Sequence, residues 1–345
     1  MEMKRLLDEL LAQGLAEGCF PGAVAACGSL GEVYAVSSVG VLAPGENAVN
    51  SLTRYDMASL TKILSTTMLA FLALEEGKLT LWDTLSDYFA VPEDKRDINI
   101  FELMTHTAGF VPFIRLDQTC ASSEDALNAI LASELISAPG AAPNYSCMGY
   151  ITLGKILEQI YCDNLANLAR EKVFKPLGMS LTGYLPEGDN IAFTEINPDT
   201  GKLICGVVHD ENARFLHGIS GNAGVFSNIG DMLIFCEMLS KGGSGFISKP
   251  LLDKAIVNYT PGHDVHRGLG FHLAGTEYNF IGDLFPACSY GHTGFTGTSI
   301  AIDPTTGFYV ILLSNRVCPT RENLKLMRFR RCLHNALYAN FSKLT

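Results

Sequence analysis

The chain has 345 residues, 48% of them hydrophobic, and a formal net charge of −11 at neutral pH. That length supports a large core in one or two domains. The acidic balance argues against nucleic acid and anionic membrane as partners, because both need a basic face.

Residues Met1 to about Glu17 read as an amphipathic helix ending at Gly18. Acids run through it, so it lacks the uninterrupted apolar region of a secretory signal. No stretch reaches the roughly 18 consecutive apolar residues of a membrane helix. The ten cysteines are scattered, with no Cys-x-x-Cys pair and no zinc spacing. Cys27, Cys205 and Cys236 sit in apolar strings, as small hydrophobes do in a reducing cytosol. These features together point to a cytoplasmic protein.

After the turn at Pro21-Gly22, Ala23 to Cys27 and Val33 to Val36 read as a hairpin joined by Gly28-Ser29-Leu30-Gly31. The next informative stretch is Asp56-Met57-Ala58-Ser59-Leu60-Thr61-Lys62, followed by the apolar run Ile63 to Leu74 and a terminating Gly77. On a helix, residues three apart stack, so the Lys62 amine reaches the Ser59 hydroxyl. The positive helix end supplies unpaired N–H groups for an oxyanion. Burial and that positive end both disfavour the ammonium, so Lys62 is expected to shed its proton and serve as a base.

From there to about Leu185 the pattern is helical: a short helix around Glu102 running into Gly109, another from Ser122 to Ser133, one from Met148 to Tyr161, and one through Arg170 to Phe174. Tyr145-Ser146-Cys147 follows the breaker Pro139-Gly140-Ala141-Ala142-Pro143 and precedes a helix, so it is a loop tip able to enter a cleft. Beyond Gly183 the chain is loop-rich. The cluster His209-Asp210-Glu211-Asn212 reads as a hydrogen-bonded loop beside a cleft rather than a metal site. His106 reads as a structural residue fixing a loop.

Tyr290 to Gly297 is a glycine-rich strand or turn near a sheet edge, where a ligand approaches the backbone closely. Ser299 to Asp303 and Phe308 to Ser314 read as strands joined by Pro304-Thr305-Thr306-Gly307, and a last helix runs from about Thr320 to Phe341. Asn315-Arg316 either meets a substrate carboxylate or makes a strand-end salt bridge. Strands at both ends of the chain imply one shared sheet, built from residues 1–55 and 205–345, with a mainly helical domain over 56–204 and a site in the cleft between them. A Gly-x-Ser-x-Gly elbow, a phosphate loop and a dinucleotide fingerprint are all missing from the sequence.

Taken in order and at these separations, three of these stretches resemble the serine β-lactamase and penicillin-binding-protein superfamily. The resemblance is nearest to its class C-like branch of D-amino-acid peptidases, DD-carboxypeptidases and family VIII esterases. That family's motifs are Ser-x-x-Lys, Tyr-x-Asn and Lys/His-Thr/Ser-Gly; here they stand as Ser59-x-x-Lys62, Tyr145-x-Cys147 and His292-Thr293-Gly294. Phe20-Pro21-Gly22-Ala23, Leu103 to Gly109 and Gly178-Met179 match too, so the likeness runs from about Phe20 to Arg316.

The resemblance implies a β-lactamase/transpeptidase-like α/β fold, an antiparallel sheet flanked by helices plus a helical domain. It implies that Ser59 is acylated, that Lys62, neutral or sharing a proton with Tyr145, activates it, and that Tyr145, as a phenolate or a hydrogen-bonded phenol, passes protons to the leaving group and later to or from water. The oxyanion would be held by the backbone N–H groups of Ser59 and Phe295. His292 would line the opposite wall with Thr293 and Gly294, as a positive or donor group whose charge changes near neutrality. Cys147 departs from the family's asparagine, and cysteine hydrogen-bonds poorly. The implied activity is serine hydrolysis of an amide or ester, with a D-amino-acid peptide, a muropeptide fragment or a carboxylic ester as substrate, no metal or organic cofactor, and weak β-lactamase activity at most. A non-hydrolytic penicillin-binding or sensor-type member of the same fold is the alternative, favoured by Cys147.

Overall fold

The N-terminal hairpin is longer than its apolar residues alone suggest. In the computed structural model, which describes residues 2–343 apart from Asp199 and Tyr278, strand β1 spans Gly22–Ser29 and β2 spans Glu32–Gly40. They turn at Leu30 and Gly31, both at positive φ. A small sheet follows, from β3 (Tyr55–Asp56), β4 (Gly183–Tyr184) and β5 (Val225–Ser227), in the order β3-β5-β4. The chain then adds β6 (His266–Arg267), β7 (His272–Leu273), β8 (Tyr290–Thr293), β9 (Ser299–Ile302) and β10 (Phe308–Ser314). These five join the hairpin in one antiparallel sheet ordered β2-β1-β10-β9-β8-β7-β6. First and last strands lie side by side, from Ala23 opposite Ser314 to Ser29 opposite Phe308.

The reason β1 and β10 read as continuous apolar strings is that both faces of the sheet are covered. Alternate residues point to opposite sides. Val24, Ala26, Tyr309, Ile311 and Leu313 enter the main core with Met232, Phe235, Cys236 and Leu239 of helix Ile229–Ser240. Ala23, Ala25, Cys27, Phe308, Val310 and Leu312 face the two terminal helices. Helix Glu2–Ala16 contributes Met3, Leu7 and Leu11, and helix Lys325–Phe341 contributes Leu326, Phe329, Leu333 and Leu337. Each such large side chain stabilises the fold by about 1.5–3 kcal/mol when fully buried. The expected start of the first helix, Met1, lies outside the described residues.

Several elements differ from expectation. The single helix expected from Ser59 to Leu74 is a 3₁₀ turn (Ala58–Leu60), a π-type stretch (Lys62–Thr67) and an α-helix (Met68–Glu75). Ala58–Glu75 is apolar enough to cross a membrane by length and composition, yet 78% of it is buried inside the protein, as in a core helix. The last helix starts at Lys325 rather than Thr320, because the Arg316 guanidinium draws out the carbonyls of Arg321 and Asn323. Helix Lys249–Ala255 and the short strands β3 to β7 carry too few residues to show a period.

Candidate active site

Ser59 sits on a turn the backbone would not adopt unaided. Ala58 has φ +45°, a conformation costing a non-glycine residue about 1–3 kcal/mol. The Ala58 N–H donates to Asp56 Oδ1 (2.8 Å), and the His209 N–H donates to Asp56 Oδ2 (2.6 Å). Burial pushes the Asp56 carboxyl up, against the pull of these two bonds. From the far side, Thr296 Oγ1 donates to the Asp56 carbonyl (2.7 Å) and Thr298 Oγ1 to that of Met57 (3.2 Å). At Gly294 a Cβ would stand 2.1 Å from Thr298 Oγ1 and 2.5 Å from the Met57 carbonyl oxygen. Glycine alone lets the end of β8 lie against the Ser59 turn, which brings Phe295 alongside.

Lys62 is fully buried, in a wide π-type turn of the kind often found at functional sites. Its Nζ lies 3.1 Å from Ser59 Oγ, 3.0 Å from the Asn222 carbonyl oxygen and 3.6 Å from Cys147 Sγ. It also lies over the Tyr145 ring, 4.9 Å from its centroid. The expectation that Lys62 sheds its proton is overturned. Burial opposes the ammonium, but the Cys147 sulfur and the Tyr145 side chain outweigh it and hold the lysine above its ordinary value. The Asn222 carbonyl only accepts, so Lys62 donates an N–H to it and turns its remaining positions toward Ser59 and Cys147. Burial also pushes the Cys147 thiol up.

Tyr145 is held by its neighbours. The Asn144 N–H donates to the His106 carbonyl (2.7 Å), the Ser146 N–H to His106 Nδ1 (3.2 Å) and Ser146 Oγ to the Val111 carbonyl (2.7 Å). Ser146 Oγ also accepts from the Met148 N–H (3.1 Å), capping helix Cys147–Tyr161. His106 itself is at φ +60°, closing helix Ile100–Thr105, and its ring packs on Tyr145 at 4.5 Å. The Tyr145 hydroxyl is buried with no hydrogen-bond partner among the described residues. Ser59, Tyr145, His292, Thr293 and Phe295 line one pocket of about 230 Å³ together with Arg267 and His272. Lys62 and Cys147 touch Ser59 or each other behind it, and Gly294 lies against Met57 and Thr298 between two of the lining residues.

The Beta-lactamase family model matches residues 7–333. The chain belongs to that family. An Escherichia coli K12 protein, provisionally named a D-alanyl-D-alanine carboxypeptidase, is 31% identical over 301 residues, which cover 76% of this chain and 69% of that one. The structure is similar to that of EstCE1, described as a hydrolase with promiscuous acyltransferase activity, with TM-score 0.80 and 20% identity over 97% of this chain and 98% of that one. It is similar also to a class C β-lactamase, with TM-score 0.75 and 18% identity over 95% of each chain. At such identities the two structures carry the fold alone: β-lactamase/transpeptidase-like, mixed α/β, with an antiparallel sheet flanked by helices. The family and its named relatives support a serine-hydrolase type of function in general.

For a Beta-lactamase family chain, three residues of this site had no warning in sequence motifs. Arg267 is 8% exposed, its Nε has no partner among the described residues, and its guanidinium lies 5.2 Å from the Tyr145 ring centroid. His272 stands opposite it in the β6–β7 pair, and burial drives its imidazole down to about 3. Their only local signal is Arg267-Gly268-Leu269-Gly270-Phe271-His272, two glycines between short apolar residues. Asn222 is fully buried behind Lys62, with Ser220 Oγ donating to its Oδ1 (2.7 Å).

Two further expectations need correction. His292 is 3% exposed, and burial, then the charges of Lys62 and Arg267, push its imidazole well below its ordinary range. Its Nδ1 faces the Thr293 carbonyl at 2.9 Å, so Nδ1 carries the proton and Nε2 is a bare acceptor. It is therefore neutral, not a positive group titrating near pH 7. Among the described residues, Asn315 and Arg316 neither line the pocket nor form a strand-end salt bridge. Asn315 Nδ2 donates to the carbonyls of Leu42 and Phe193, and Arg316 stacks 4.6 Å from the centroid of Phe295. His209 stacks on the same ring at 5.6 Å and approaches Glu195 Oε1 at 3.1 Å. Among the described residues no group of three or more His, Cys, Asp or Glu side chains is placed to hold a metal ion.

Proposed function

We propose that this protein is a serine hydrolase working through an acyl-enzyme on Ser59, with an amide or ester as substrate. The observation that carries this is the 3.1 Å contact between Ser59 Oγ and Lys62 Nζ at the base of a pocket that Tyr145 also lines. With Lys62 charged, Tyr145 relays the proton: its hydroxyl oxygen takes the Ser59 proton as Oγ attacks the carbonyl, and its own proton goes to the leaving amine or alcohol. The backbone N–H groups of Ser59 and Phe295 face the oxyanion. Water then attacks the ester on Ser59 by the reverse proton route. Lys62 stays charged throughout and steadies each anion as it forms.

Arg267 supports a carboxylate-bearing substrate, such as a D-amino-acid peptide, a muropeptide fragment or an acidic carboxylic ester, since an unpaired buried guanidinium in the pocket matches a carboxylate. Cys147 near Lys62 cannot donate an amide to an acyl side chain, which supports weak β-lactamase activity at most. The test is steady-state turnover of a p-nitrophenyl ester by the native chain, Ser59→Ala and Lys62→Met. Turnover should fall at least about 10³-fold in each variant. Turnover that survives in Ser59→Ala overturns the assignment, and no turnover by the native chain favours the non-hydrolytic, sensor-type alternative.

A further inference from the structure

Away from this pocket, a groove of about 560 Å³ runs along the C-terminal helix, lined by Phe280, Met327, Arg328, Arg330 and Arg331 among others. Arg331 is paired with Asp283, which also accepts from Asn335. Arg330 is different. It is 3% exposed, its Nε and Nη2 are wholly buried, and it has neither hydrogen bond nor ion pair among the described residues. The guanidinium nearest in effect is another buried one, Arg316, whose charge repels it and whose own bonds run only to backbone carbonyls. A buried cation with no counter-charge is a costly arrangement that an incoming anion relieves. Arg328 is exposed at the rim with no acid paired to it among the described residues, while Phe280 and Met327 add apolar wall.

We propose that this groove is a second binding site, for a phosphate-bearing small molecule. Arg330 holds the phosphoryl oxygens from within and Arg328 from the rim, with any apolar remainder against Phe280 and Met327. Two guanidiniums without a counter-charge favour a dianion over a carboxylate. The volume is in the usual range for a small-molecule site.

The experiment titrates inorganic phosphate against the full chain at constant ionic strength, with chloride making up the balance, and follows the melting temperature. A saturable rise of roughly 3 °C is expected, smaller with acetate, retained in Arg267→Ala and lost in Arg330→Met. Should Arg330→Met fail to fold, Arg328→Ala answers instead, because it alters an exposed side chain: half-saturation should then need at least about fivefold more phosphate. No saturable rise, or a rise unchanged in Arg330→Met or Arg328→Ala, overturns the site. Acetate matching phosphate overturns the phosphoryl assignment.

Discussion

Arg267 and His292 share one wall of the pocket and behave oppositely toward protons. A guanidinium stays charged at any working pH, whereas burial keeps His292 neutral. Binding of a carboxylate substrate should therefore rest on Arg267 and not follow a histidine titration. Arg267→Ala is expected to raise KM for a carboxylate-bearing ester by about 10- to 100-fold, the worth of a charged hydrogen bond, and to leave a neutral ester nearly unchanged. KM for the acidic substrate, measured from pH 5.5 to 8.5, should stay flat. A KM that climbs as the pH rises through neutrality would show His292 charged and contradict this reading. The two residues also differ in how visible they were. His292 stands in a motif that the eye finds in order along the chain. Arg267 acquires its place only when β6 pairs with β7 and β7 with β8.

At the scale of elements, the site depends on two segments forced together. The Ser59 turn, strained at Ala58, is clamped by Asp56, and the end of β8 leans on it at Gly294, where a side chain has no room. Gly294→Ala should push the two apart by a few tenths of an ångström or more and lower kcat by about 100-fold while far-UV circular dichroism stays native. An unchanged kcat would mean that the close approach does not position the reaction. Elements of local origin were legible: Ser59 and Lys62 are three residues apart, and the β9–β10 hairpin has its Pro/Gly turn. The charge state of Lys62 was not, because it is decided by Tyr145 and by Cys147, the latter 85 residues away. The π-type turn that aims Lys62 likewise has no compositional mark in an apolar helix.

The whole molecule carries several buried neutral histidines. Burial holds His106 and His292 well below the ordinary range, and takes His272 and His334 to about 3. In each, the unfolded chain binds a proton below about pH 6.5 that the folded chain does not. Their stabilising contribution is present above that pH and declines as the pH falls toward the folded values. Each can remove up to about 1.4 kcal/mol per pH unit. Urea denaturation at pH 7.5 and pH 5.0 should show several kcal/mol less stability at the lower pH; equal midpoints would mean these side chains take up protons while folded. The helices flanking the sheet came with the family resemblance, and the shared sheet was legible because strands sit at both chain ends. The groove at Arg330 was not, since it takes residues near 280 and 330 that only the packed fold brings together. The most direct test of acyl transfer at Ser59 is the intact mass of the protein after mixing with benzylpenicillin, and separately with a p-nitrophenyl ester, beside Ser59→Ala. The expected result is an acyl adduct or turnover with at least one reagent that vanishes in Ser59→Ala. An adduct or turnover of equal size in Ser59→Ala, or no reaction with either reagent, would contradict it.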